Sequence, residues 1–371
     1  MIPQLNFNTK KIIQEIQSTK EKYKILPKDN LLQVNKIYLN KKGRPFYANL
    51  PKEIRISPEA VGLIVGEGYL GGRSFVFANS NENAIDLVLN FLRQFKTPLR
   101  IYLEISTKNV SKNFIKKSQS FWESHLNIKL DRIREREEFK NITKNGTIHV
   151  CLNGKILCQV IEKIILLSKK KIEKSRILSI DYLKGIIAAE GNINVKKTTN
   201  CLYMVRISAS KPEEREHYKR CLNKIGINVS CNDMLTISPE EGINRGWKTT
   251  RGRAGAVIIS RWENFVKIFE FNLLEINKDK EEKFMQSFNN NKFTKQFLDF
   301  KYFINKEFTM KEAQTYFGFK GRHVNRVLTL YKEGYISRKK ISKNKFKYKL
   351  TDRYLALYNK LKSTSDNPTF Q

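Results

Sequence analysis

The 371-residue chain is 40% apolar, enough for two or more globular units. Its 70 Lys and Arg against 36 Asp and Glu give a net charge of +34 and a pI near 9.9, a balance that marks a nucleic-acid partner; an A- and T-rich genome explains the preference for Lys over Arg but not the shortage of acids. Five cysteines without a CxxC pair and four histidines without ligand spacing argue against a disulfide framework or a zinc module, and the lack of an apolar leader, a spanning run or a lipidation signal predicts a soluble intracellular protein with no membrane partner, in the cytoplasm, nucleoid or an organelle.

In chain order, residues 1–49 read as a basic N-terminal extension, with a surface helix over 9–23 and a turn or basic loop at Asn40-Lys41-Lys42-Gly43-Arg44-Pro45. Ala60-Val61-Gly62-Leu63-Ile64-Val65-Gly66-Glu67-Gly68 reads as an apolar helix with small residues four apart, closed by a carboxylate and a glycine. Residues 69–80 are strand-forming, with Phe75 and Phe77 assigned to one face and Arg73 and Asn79 to the other. A helix is predicted from Asn81 through Phe95, then a half-buried strand over 99–106 and a helix near 114–126. Strands toward Arg136 and over 147–152 and a helix over 155–167 complete this stretch.

The apolar helix then returns as Leu183-Lys184-Gly185-Ile186-Ile187-Ala188-Ala189-Glu190-Gly191. Behind it come a strand over 202–208, a helix over 212–225, short strands near Val229 and over 235–238, a strand over 255–260 and a helix over 261–271. A motif that occurs twice, roughly 120 residues apart, predicts an internal duplication, with repeats over 50–170 and 171–290. Gly62 and Gly66 share one helix face, as do Gly185 and Ala189, so the two backbones can approach closely. Gly68 and Gly191 are assigned the left-handed position that ends a helix. Glu67 and Glu190, brought together at the negative ends of two helices, repel one another and predict a cation between them. All-oxygen donors select a hard ion, Mg²⁺ or Mn²⁺.

Residues 291–355 read as a separate unit. A helix over 294–304 precedes Thr309, an N-cap with Glu312 at its third position. A helix carrying Val324, Val327, Leu328, Leu330 and Tyr331 and two basic strands over 337–351 follow, in the manner of a winged helix-turn-helix; residues 356–371 are left as a tail. Lys320, Arg322, His323, Asn325 and Arg326 would enter a major groove, and Lys339, Lys340, Lys343, Lys345 and Lys347 would follow phosphates.

The two apolar helices resemble the signature helices of single-chain LAGLIDADG homing endonucleases, and the lead-in Leu50-Pro51-Lys52-Glu53-Ile54-Arg55-Ile56-Ser57-Pro58-Glu59 is also similar to that family's. The resemblance covers roughly residues 50–275. It implies an α+β protein, a duplicated αββαββα fold with pseudo-two-fold symmetry, in which Glu67 and Glu190 bind the metals and each serves one DNA strand. The family usually has Asp two residues before each final acid; this chain has Val65 and Ala188. The resemblance further implies strands lying in a DNA major groove. Base readers would then come from Arg73, Asn79, Arg100, Tyr102, Glu104, Asn192, Asn194, Tyr203 and Arg206. The glycine- and arginine-rich loop over 242–255, with Arg245, Trp247, Lys248, Arg251 and Arg253, would follow the phosphate backbone. Lys155 and Arg261 would stand near the metals as catalytic cations.

The function implied is a monomeric, Mg²⁺-dependent, site-specific endonuclease that hydrolyses phosphodiester bonds in both strands at a long asymmetric target, in the service of intron or intein homing. No splicing residues are evident, so a free-standing or intron-encoded enzyme is expected. Two other readings stay open: a catalytically decayed DNA-binding transcription regulator, and a maturase whose partner is intron RNA.

Overall fold

The computed structural model describes residues 3–17, 22–28, 30–37, 47–106, 111–136, 143–236, 253–318, 325–343 and 345–365. It is mixed α+β and divides into two compact units, one of Met1–Gly191, Ile207–Val257 and Leu273–Asn277, the other of Asn192–Arg206, Ile258–Asn272 and Lys278–Gln371.

At the start of the first unit, β1 (Leu5–Asn8) pairs antiparallel with β5 (Glu53–Ile56), and α1 (Thr9–Ile16) follows β1. β2 (Lys22–Lys28), β3 (Leu31–Ile37) and β4 (Tyr47–Pro51) form an antiparallel sheet. The helix expected over 9–23 stops at Ile16, because Gln17 is extended and Tyr23 belongs to β2, opposite Lys36. Pairing with β3 supplies the backbone partners that a longer helix would have found internally.

Next come α2 (Pro58–Glu67), β6 (Gly68–Leu70), β7 (Ser74–Asn79), α3 (Glu82–Leu92) and β8 (Arg100–Ser106). α4 (Lys112–Leu126), β9 (Arg132–Arg136), β10 (Thr147–Asn153), α5 (Lys155–Ile172) and α6 (Arg176–Glu190) follow. The side chains of Ser57, Asn81, Ser111 and Ser175 cap α2, α3, α4 and α6. The strand expected over 69–80 is a hairpin instead, broken where Gly72 takes φ 73°.

The five-stranded sheet has the order β6-β7-β10-β8-β9, and its outermost pair, β8 and β9, is parallel. Parallel neighbours cannot be joined by a tight turn. α4 makes the crossover, and Trp122 anchors it by donating to the Asn145 carbonyl at 2.7 Å.

β11 (Gly191–Lys196), β12 (Cys201–Ser208), α7 (Pro212–Lys224), β13 (Val229–Thr236), β14 (Arg253–Ile259) and α8 (Trp262–Glu270) follow α6. The strand order β11-β12-β14-β13 matches β6-β7-β10-β8. The two short strands expected near Val229 and 235–238 are one strand as far as Thr236. In the first unit one face of the five-stranded sheet is apolar, with Phe75, Phe77, Leu103, Ile148, Val150 and Leu152 buried against Ile85, Val88 and Leu92 of α3 and Val160, Ile161 and Ile164 of α5. Each such side chain contributes about 1.5–3 kcal/mol on burial.

The second unit adds α9 (Lys278–Asn289), α10 (Lys292–Asp299), β15 (Phe308–Thr309), α11 (Met310–Phe317), α12 (Asn325–Lys332), β16 (Ile336–Ser342), β17 (Lys345–Leu350) and α13 (Asp352–Ser365). Thr309 and Glu312 form the capping box read from the sequence. The sheet order is β15-β17-β16. Trp262, Phe297, Tyr335 and Tyr354 pack as an aromatic core; Trp262 donates to Thr294 and Tyr354 to the Phe297 carbonyl. Residues assigned to a tail begin inside α13, which buries Tyr354, Leu357 and Leu361.

Candidate metal centre and nucleic-acid interface

α2 and α6 cross with their glycines in contact. A Cβ added at Gly62 would lie 2.8 Å from the Ile186 nitrogen and 3.0 Å from the Gly185 Cα. One added at Gly185 would lie 2.9 Å from the Leu63 nitrogen and would overlap the Glu59 carbonyl. At Gly66 it would lie 2.5 Å from the Ala189 Cβ and 3.2 Å from the Glu190 Cγ. The obstacles at Gly62 and Gly185 are backbone atoms, which do not move aside. The small-residue spacing therefore does what the sequence suggested, and it lays the Glu190 side chain across Gly66, the residue next to Glu67.

Gly68 and Gly191 correct one expectation. Their φ values are −77° and −72°, extended and not left-handed, and each runs straight into a strand. Glycine is needed there for space: a Cβ would overlap the carbonyl of Ile64 or Ile187, and at Gly68 would also press on Phe75 at 3.1 Å. This abrupt helix-to-strand step sets each glutamate at the sheet edge.

Glu67 is half-buried and accepts a hydrogen bond from the Asn79 side-chain amide. The Asn79 oxygen accepts in turn from the Asn81 backbone N–H at 2.7 Å, which fixes the amide's orientation. Asn79 thus lies on the inner face with Phe75 and Phe77, not opposite them; the strand's burial alternates strictly, and 75, 77 and 79 have the same parity. Glu190 is half-buried as well. Tyr218 of α7 registers its charge: burial first, then the carboxylates of Glu214 and Glu190, keep the phenol far above its ordinary pKa. Among the described residues no group of three or more His, Cys, Asp or Glu side chains is arranged to hold a metal.

Lys155 and Arg261 do not occupy equivalent positions. The residue preceding α5 is Gly154, with φ 138°, and the residue preceding α8 is Arg261, with φ 76°. Lys155 is the first residue of its helix, where α8 has the buried Trp262. Both strand-to-helix turns use a positive φ, and a non-glycine residue holds it only at a cost of about 1–3 kcal/mol.

The outer face of the five-stranded sheet carries Ser74, Val76 and Ala78 of β7, Asn153, Cys151, His149 and Thr147 of β10, and Arg100, Tyr102 and Glu104 of β8. Ser74, Val76, Arg100, Tyr102, Asp131, Arg132, Cys151 and Asn153 line a depression of about 400 Å³ on it. Arg73 is exposed in the hairpin turn. The strand expected toward Arg136 is β9, but sequence reasoning missed its arginines as candidate contacts: Arg132, Arg134 and Arg136 pair with Tyr102, Glu104 and Ser106. The alternation Arg132-Ile133-Arg134-Glu135-Arg136 is the signal that could have found them. Arg132 stands over the Tyr102 ring at 4.7 Å, and His149 stacks on that ring at 4.6 Å. Glu104, expected to read bases, is 6% exposed and enclosed by arginines, so it is not free to reach a base edge.

In the second unit, Asn192 and Tyr203 are exposed and Asn194 and Arg206 half-buried on β11 and β12. Arg326 of α12 is half-buried over Phe293, at 5.1 Å. Lys339, Lys340, Lys343, Lys345 and Lys347 are exposed along the β16–β17 hairpin. Arg245, Trp247, Lys248, Arg251, Lys320, Arg322 and His323 lie outside the described residues, as do the side chains of Arg253 and Asn325. No helix among the described residues is long and apolar enough to cross a membrane.

No family model and no curated protein sequence matches the chain. Solved structures do. The N-terminal LAGLIDADG domain of DUF199/WhiA matches at 14% identity and TM-score 0.33, over 60% of this chain and 84% of that one. I-DmoI in complex with DNA and Mn matches at 16% and 0.32, over 58% and 94%. Mesophilic variants of the homing endonuclease I-DmoI match at 17% and 0.29, over 59% and 96%. Among the solved structures to which this chain is similar are a LAGLIDADG domain and LAGLIDADG homing endonucleases.

Proposed function

We propose that the chain is a divalent-metal-dependent DNA endonuclease that cuts both strands of a long asymmetric duplex site as a monomer. In this reading the α2–β6 to α5 and α6–β11 to α8 stretches are two copies of one unit, and the elements from β15 to β17 are a winged helix that adds DNA contacts. The observation that carries it is the glycine-mediated crossing of α2 and α6, which brings Glu67 and Glu190 side by side at two helix C-termini. Two carboxylates there are mutually repulsive without a cation.

The donor set fits a hard ion held by one or two carboxylates, with water and substrate phosphate completing its shell. Glu67 and Glu190 would hold it. When bound, such an ion supplies Lewis-acid neutralisation of the phosphate and a more acidic water. The chain's own residues do the rest. Asn79 orients the Glu67 carboxylate through its fixed amide. Lys155 and Arg261 are the cations proposed for the scissile phosphate, as the resemblance implies. The outer sheet faces, the 242–255 loop and the β16–β17 hairpin supply the DNA contacts.

The test is cleavage of the gene's flanking locus, rejoined as an uninterrupted duplex, by the wild-type, Glu67→Gln and Glu190→Gln chains. A Mg²⁺-dependent double-strand break, absent in both variants, is expected. Tight duplex binding with no cut under any metal would overturn the enzyme. It would leave the DNA-binding regulator, a reading that the aliphatic Val65 and Ala188 favour, since neither adds a donor to the two glutamates.

A further inference from the structure

Among the described residues, β9 is the one strand of the five-stranded sheet with no counterpart in the four-stranded one. Its Arg132, Arg134 and Arg136 point to the outer face, two residues apart. At about 3.3 Å per strand residue they lie roughly 6.6 Å from one another, close to two base-pair steps of 3.4 Å. Solvated arginines at such positions would act only as mobile positive charge. Two of these are drawn into ion pairs with one buried carboxylate. The Glu104 carboxylate, 6% exposed, has Arg136 Nε at 3.0 Å and Arg134 Nη1 at 3.7 Å from one oxygen, and His149 Nε2 at 3.6 Å from the other. His149 is itself stacked on Tyr102, beneath Arg132.

A carboxylate buried on a surface meant for a polyanion opposes binding. It persists only if what it organises outweighs its charge. Glu104 is outnumbered by the guanidinium groups around it, so the strip stays cationic. Burial holds the His149 imidazole below its ordinary pKa, against the pull of Glu104, so the arginines supply that charge near neutral pH. The contacts to Glu104 are ion pairs in which its Oε2 accepts no hydrogen bond, so they hold the Arg134 and Arg136 guanidinium groups near that carboxylate while leaving N–H groups for O6 and N7 of guanine in a major groove.

We infer that the β9 strip is a guanine-reading extension of the nucleic-acid interface, with Arg134 and Arg136 as the reading residues and Glu104 as the residue that positions them. This rests on the proposed DNA-binding reading and names the part of the target that β9 selects. Arg132, held on Tyr102, adds phosphate affinity without base preference.

The experiment is selection of a randomised duplex pool by the full-length chain without Mg²⁺, comparing wild type with Glu104→Gln, Arg136→Ala and Arg136→Lys. Melting temperature and the salt dependence of binding are measured alongside. Glu104→Gln is expected to relax guanine preference by about fivefold or more at two positions two base pairs apart, with the salt slope unchanged. Arg136→Ala should relax one of those same positions and shallow the salt slope. Arg136→Lys keeps the charge but loses the planar fork, so it should relax that position alone with the slope intact. The Lys variant decides the matter even where Glu104→Gln unfolds.

A wild-type guanine preference untouched by Arg136→Lys would overturn the inference. So would a folded Glu104→Gln chain with the wild-type profile, or one that relaxes positions unrelated to Arg136. A wild-type chain that selects no duplex would instead remove the DNA-binding reading, and the inference with it.

Discussion

The two sheets built behind α2 and α6 share a strand order, yet the carboxylates beside them are supported differently. In the first, β7 ends in Asn79, whose amide donates to Glu67. In the second, β12 leads to Ala209, which has no side-chain donor and whose backbone N–H bonds to the Gly255 carbonyl. The turn before the last helix uses Gly154 in one and Arg261 in the other, both at positive φ. Among the described residues, the first sheet has β9 as a fifth strand. A shared scaffold thus fixes where the two glutamates are. The residues around each one decide how it is held and what the adjoining face can contact. Under the proposed function, asymmetry of this kind would match an asymmetric duplex.

The scaffold is the part most easily broken. Gly185→Val would drive two branched methyl groups into the Glu59 carbonyl and the Leu63 nitrogen, backbone atoms that cannot rotate away. Overpacking of this kind costs about 3 kcal/mol, which in a unit of this size lowers the melting temperature by roughly 6–12 °C. Both glutamates should lose function together, because both hang from the same crossing. Thermal unfolding checks it, and an unchanged melting temperature would show that the helices can part without penalty.

A smaller change separates the halves. Asn79→Ala leaves the helix crossing intact and removes the donor to Glu67. Loss of a hydrogen bond that orients a metal ligand typically costs 10–100-fold in activity. If each glutamate serves one strand, the strand assigned to Glu67 should be cut about 10–100-fold more slowly and nicked duplex should accumulate. Strand-specific end-labelling reads this directly. Equal slowing of both strands would mean that the two carboxylates act as one centre.

The elements legible in the sequence are those governed by local or strictly periodic rules. The Gly62/Gly66 and Gly185/Ala189 spacing predicted a close crossing because helix geometry alone puts residues four apart on one face. Asn81 and Thr309 announced their helices through capping. Asn79 reads as solvent-facing because polar residues ordinarily are, although its parity with Phe75 and Phe77 puts it inside; the half-buried Glu67 carboxylate is what holds it there. The extended backbone at Gly68 and Gly191 was illegible because a left-handed cap and a crowded extended turn both demand glycine. Least accessible were the parallel pairing of β9 with β8 and the Glu104 cluster. Parallel pairing across the α4 crossover joins residues distant in sequence, and no local pattern reports which arginines will enclose which carboxylate.

The smallest effect lies in the helix after the second strand of each half. The buried face of α3 is aliphatic and aromatic, with Ala84, Ile85, Val88, Leu89, Phe91 and Leu92. α7 instead buries Arg215, His217, Tyr218, Cys221 and Leu222. His217 Nδ1 lies 2.5 Å from Glu173 Oε1 beyond the end of α5, and Arg220 reaches the same oxygen at 2.7 Å. Burial pushes the His217 pKa below 6.5; the Glu173 carboxylate pulls it up, and Lys169 and Arg220 oppose that pull. For Glu173, burial favours the neutral acid, but hydrogen bonds from Arg220 and His217 outweigh it and hold the carboxyl below its usual range. Because the folded His217 resists a proton that the unfolded chain accepts, stability is full above about pH 6.5 and falls as pH drops from there toward the lowered value, by at most about 1.4 kcal/mol per pH unit. The Glu173 contribution is lost only at lower pH, through its own depressed pKa. Between pH 7 and 5.5, amide protection of α7 should therefore decline while that of α3 holds, and His217→Gln should flatten the α7 response. Equal decline in both helices would assign the acid sensitivity to the unit as a whole and dissolve the contrast between the halves at this position.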